Sequence, residues 1–104
     1  MYLDAILLFV VTCDFLVPPT IHRSKKRIDV EEGDDVKLPC KATGDPKPLI
    51  EWKKDGVLLQ RSNQTTELLI GKIELKDDGT FVCMAVNRVG SVSSSVRVRV
   101  LRCK

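Results

Sequence analysis

A chain of 104 residues, 43% hydrophobic and 30% charged, is one globular domain's worth of sequence and not a disordered tail. Its net charge of +3, from 17 basic and 14 acidic residues, is too slight to argue for nucleic acid as a partner. The four cysteines (Cys13, Cys40, Cys83, Cys103) form no C-x-x-C pair and accompany a single histidine, His22, so the clustered ligands of a zinc site are absent.

Ala5 to Val11 is a short apolar run, AILLFVV. A bilayer span needs about 20 residues, so this run suits the core of a secretory signal instead. Val11-Thr12-Cys13 then serves as the cleavage motif, giving a signal over residues 1–13 and a short leader over 14–17. An edge strand is the competing reading. No other stretch in this chain is apolar enough for a transmembrane segment, and no lipidation motif is present. The expected domain covers residues 18–101, with a tail at 102–104.

Pro18 and Pro19 suit an extended edge strand, where a missing N–H does little harm. RIDV is a second extended piece, and EEGDD is a turn. Val36, Leu38, Cys40 and Ala42 then alternate with polar residues, which is the period of a half-buried strand. The loop TGDPKP follows, then a strand with Ile50 and Trp52 inward. Lys54-Asp55-Gly56 is a hairpin turn signal. VLLQ reads as a short edge strand, RSNQTT as a polar loop, and ELLIGKIEL as a strand weakened by Gly71. After the corner KDDG, residues 81, 83 and 85 face one way and 82, 84 and 86 the other. In the last strand Val96, Val98 and Val100 alternate with Arg97 and Arg99. Seven or eight short strands with no convincing helix predict an all-β, two-sheet antiparallel sandwich.

The stretch DDGTFVC carries the sharpest signal. Asp77 can accept backbone N–H groups across a corner, and Gly79 suits the turn. Phe81 and Cys83 then enter the core together. Cys40, Trp52 and Cys83 on three inward-facing strands would set an indole against an inter-sheet disulfide. With Asp77, Gly79 and Phe81 these residues resemble the immunoglobulin superfamily, and most closely its I-set type, over about Pro18 to Leu101. AVNRVG is similar to the I-set phrase in which Asn and Gly shape the last hairpin. Phe81 departs from the family's usual Tyr, and so lacks the hydroxyl that bonds across the corner. EGDDVKLPCKATGDPKPLIEWKKDG also resembles Ig modules in the ectodomains of fibroblast growth factor receptors and their receptor-like relatives.

No triad, phosphate loop or metal cluster surrounds His22, so no enzyme activity and no cofactor are expected. The basic run with Arg23, Lys25, Lys26 and Arg27 suits heparan sulfate. Edge protection or a multibasic processing site are its other readings. Val82, Met84 and Val86 form an outward apolar row, with Arg97 and Arg99 expected on its rim. That composition suits a protein partner, although β-branched residues also favour strands for their own sake. Asn63-Gln64-Thr65 is a glycosylation sequon. Cys103 is left over for an interchain bond, or for Cys13 if the start is retained. The leading expectation is a secreted or cell-surface protein-recognition module of the adhesion or receptor-ectodomain type. A structural spacer domain without its own ligand is the alternative, as is a soluble, truncated receptor-like decoy that binds heparan sulfate.

Overall fold

The computed structural model describes residues 15–22, 25–63 and 67–102. The expected signal over residues 1–13, and with it Cys13, Arg23 and Cys103, lies outside them. Among the described residues nine strands form two layers. In the first, β2 (Arg27–Glu31), β9 (Ser91–Leu101), β8 (Gly79–Val86), β5 (Leu49–Lys54) and β6 (Val57–Ser62) lie side by side in that order. β2 runs parallel to β9, and the other neighbours are antiparallel. The second layer is two short pairs: β1 (Val17–His22) with β4 (Lys41–Asp45), and β3 (Val36–Pro39) with β7 (Glu67–Ile70). β3 and β4 are one extended segment interrupted at Cys40. The pairing of β1 shifts register between Val17 and Thr20, where the two prolines offer no N–H to the ladder.

The alternation expected from the sequence places the core. Val36, Leu38 and Cys40 come from one layer; Trp52, Phe81, Cys83 and Val98 come from the other; all are buried. Cys40 and Cys83 are joined by a disulfide across the layers, with their Cα atoms 6.4 Å apart. The register sets Trp52 directly opposite Cys83 on the neighbouring strand, so the indole packs where the staple crosses. Asp55 and Gly56 take φ of 52° and 78°, as a two-residue hairpin turn with left-handed centres requires.

One expected strand is shorter than its apolar pattern. Only Glu67–Ile70 of ELLIGKIEL pairs as a strand. Lys72 turns at φ 48°, its N–H donates to Asp35 Oδ1 at 2.9 Å, and Ile73 exchanges backbone hydrogen bonds with Gly33 and Asp34. The chain is thereby pulled under the Glu31–Asp35 turn, and Ile73 becomes fully buried. A single 3-10 turn, Leu75–Asp77, follows. Asp77 Oδ2 accepts the Glu74 N–H at 2.8 Å and closes a capping box.

Candidate recognition surface

Burial alternates along β8. Phe81, Cys83 and Ala85 are buried, while Val82, Met84 and Val86 are half-exposed on the outer face of the larger sheet. Met84 lies between Glu51 and Ser93, Val82 between Lys53 and Ser95, and Val86 between Leu49 and Ser91. Small serines therefore wall the apolar row on the β9 side. On the β5 side Glu51 is held by Arg61, which donates two hydrogen bonds to Oε2 at 2.7 and 2.9 Å.

The arginines expected to rim this row stand at its end. Arg97 is opposite Thr80, and Arg99 is opposite Asp29 on β2. The reason is register: the β8–β9 turn sets Ser91 opposite Val86, so the arginines fall beyond the apolar positions. Arg97 Nη2 donates to Asp78 Oδ1 at 2.7 Å. The Val100 N–H donates to the other Asp78 oxygen at 2.9 Å. This amide first, and Arg97 second, hold the Asp78 carboxyl below its ordinary range. The sequence pattern singled out Asp77 for the corner; Asp78, the acid that ties the corner to the last strand, has no local signature.

Gly79 follows. A Cβ there would lie 2.8 Å from Lys54 Cε. Lys54 Nζ sits 5.7 Å from the centroid of the Phe81 ring and donates to the Lys76 carbonyl at 3.1 Å. Lys54 thus makes a bond to the upstream backbone of the kind that a tyrosine hydroxyl would make at the Phe81 position.

At the other end of β8, Asn87 organises the last hairpin. Its Oδ1 accepts the N–H groups of Val89 and Gly90 at 2.9 and 3.2 Å. Its Nδ2 donates to the carbonyls of Val17 and Pro46, each at 2.9 Å. Gly44 allows this approach: a Cβ there would lie 3.2 Å from Asn87 Nδ2, from Pro19 Cα and from Pro48 Cγ.

The basic run is split. Lys25 and Lys26 are exposed, and Arg27 opens β2 directly opposite Arg97. Parallel pairing therefore brings Arg97 beside Lys25, Lys26 and Arg27, with Asp29 4.0 Å from Arg27 and Asp78 2.7 Å from Arg97 as partial compensation. His22 Nε2 lies 2.9 Å from Thr43 Oγ1 at the surface. Asn63 is exposed in the bend after β6. Among the described residues no group of three or more His, Cys, Asp or Glu could hold a metal ion, and no helix is long and apolar enough to cross a membrane.

A two-layer sandwich stapled between Cys40 and Cys83, with Trp52 packed at the staple, is a β-sandwich of the immunoglobulin type. The chain belongs to the Immunoglobulin I-set domain family, whose pattern matches residues 19–100. Hemicentin-2 of Mus musculus is 36% identical over 91 residues, which is 82% of this chain and 2% of that protein. Neural cell adhesion molecule 1 of Bos taurus is 31% identical over 94 residues, 81% of this chain and 11% of that protein. The chain therefore spans a small part of these relatives. Among solved structures, one of the Dpr11 first Ig domain bound to DIP-gamma superposes with a TM-score of 0.74 at 30% identity, covering 84% of this chain and 49% of that one.

Proposed function

We propose that the chain is an extracellular protein-recognition module that binds a protein partner through the outer face of β5, β8 and β9. The observation that carries this reading is the half-exposed row Val82, Met84 and Val86, set between serines and a paired glutamate. An apolar centre with polar flanks is the composition of an interface core and rim. Methionine at its middle adapts to the shape of a partner. The adhesion-molecule relative and the neighbour solved in complex with another Ig protein support the same reading. On this reading residues 1–13 are removed on secretion and Asn63 carries glycan. The exposed cations Lys25 and Lys26, beside Arg27 and Arg97, add an attraction for acidic partners such as heparan sulfate.

The test uses the secreted chain, clustered for avidity and screened against a panel of cell-surface ectodomains, with and without soluble heparin. A Met84→Asp variant that folds normally is expected to lose at least about tenfold in affinity for any protein hit. Unchanged binding by that variant removes the face. Hits that disappear only with heparin assign binding to the cations instead.

A further inference from the structure

β1 lies in the smaller layer and β2 in the larger, and neither covers its neighbour along the whole length. β1 pairs with β4 only as far as His22 opposite Lys41, and among the described residues β3 pairs only with β7. β2 pairs with β9 only from Arg27 opposite Arg97 onward, so Ser94 and Ser95 fall outside that ladder. Both uncovered stretches line one open hollow of about 290 Å³ between the layers. The inward row of β9 adds to the space. It reads Val92, Ser94, Val96, Val98 and Val100, and the serine falls opposite Cys83. A hydroxymethyl group there leaves volume that a larger apolar side chain would fill. The floor is apolar: Leu38, Trp52, Val96 and the Cys40–Cys83 bond line it, and all are buried. The exposed rim carries His22, Lys25 and Lys37, and among the described residues that line the hollow none is acidic. His22 Nε2 lies 2.9 Å from Thr43 Oγ1, which holds the ring at the rim.

We propose that this hollow binds a small amphiphilic anion, an apolar body of about eight carbons that ends in one carboxylate. Small-ligand sites are mostly apolar, with a few polar groups that fix orientation, and they run from about 300 to 1,000 Å³. This hollow is at the small end of that range, so its occupant is short. The apolar floor takes the hydrocarbon. The two rim lysines, with no carboxylate in the lining, favour a negative head group over a neutral or cationic one. A sulfated polysaccharide has no apolar body to bury there. Lys25 is common to this rim and to the cations beside Arg97, whereas Lys37 belongs to the rim alone and Lys26 to the other set. None of Val82, Met84 and Val86 lines the hollow, so the outer face of the larger sheet is a separate surface.

The test is isothermal titration calorimetry of the full secreted chain with octanoate, octanol and octyltrimethylammonium. Octanoate should bind with Kd on the order of 0.1–1 mM. Octanol should bind at least about tenfold more weakly, and the cation more weakly still. Lys37→Glu changes an exposed side chain and sets an acid at the rim. It should raise the octanoate Kd at least about tenfold while leaving the thermal melt unchanged. Lys26→Ala, outside the lining, should leave octanoate binding as it is. Ser94→Leu fills the hollow and should abolish binding; if that variant does not fold, Lys37→Glu still decides. No octanoate binding at about 10 mM overturns the proposal. Equal binding of octanoate and octyltrimethylammonium also overturns it, because apolar surface alone is then responsible. A loss with Lys26→Ala as large as that with Lys37→Glu does the same, since binding then follows the general positive charge and not the rim.

Discussion

Asp78 joins the corner before β8 to the end of β9 through the Val100 amide and Arg97. Both favour the ionised carboxylate and hold its pKa below the usual 3.8. A carboxyl with a lowered folded pKa adds stability above the unfolded value, and that stability is lost as pH falls through the folded value. The melting temperature of the wild type is therefore expected to drop as pH is lowered below about 4. Asp78→Asn should melt lower at neutral pH and fall less steeply over that acid window. An Asn variant whose melting curve parallels the wild type throughout would remove Asp78 from this role. Sequence pattern pointed to Asp77, which bonds three residues away, and passed over Asp78, whose amide donor lies 22 residues away. Local acceptors leave a local signature, and long-range ones do not. Lys54 is a similar case: only the folded chain shows it over the Phe81 ring and reaching the Lys76 carbonyl.

One side chain ties the hairpin between β8 and β9 to the segments beside it. Asn87 uses its oxygen within the turn and its amide to hold β1 and the 45–48 loop. Asn87→Ala leaves these groups to find water, and a loss of about 1–3 kcal/mol is expected in urea unfolding. A change within error would mean that the loops hold without it. AVNRVG was legible as a turn because Asn and Gly act locally; the amide's grip on Val17 and Pro46 was not. The stretch from Glu67 to Leu75 shows the same division. Its apolar residues mark it as a strand, and only Glu67–Ile70 pairs as one. Periodicity alone could not place the bend at Gly71 and Lys72, because the bend is held by Asp34 and Asp35 from a different turn.

Among the described residues the two layers are joined covalently at Cys40 and Cys83. The Cys40–Cys83 bond closes a separation of 43 residues, and Trp52 packs where it crosses. Replacing both cysteines with alanine should cost about 2–5 kcal/mol, by freeing the unfolded chain and loosening the core. The single tryptophan, Trp52, reports the unfolding in urea. A double variant as stable as the wild type would show that packing alone holds the layers. The layers are unequal: among the described residues five strands face two short pairs.

By itself the sequence determined the all-β class, the inward rows, the staple between Cys40 and Cys83 with Trp52, the β5–β6 turn and the outward row at Val82, Met84 and Val86. The inward and outward rows and the turn follow from period-two alternation or from a turn residue, which act over a few neighbouring positions, and the staple follows from the resemblance of Cys40, Trp52 and Cys83 to the immunoglobulin pattern. The folded chain adds that serines rather than arginines flank Met84, that Arg27 stands opposite Arg97, and that among the described residues β7 pairs only with β3. Those facts depend on register and strand order. These are settled when distant segments pair and bury their inward rows together, because a slip of one residue would turn every apolar side chain to the wrong face.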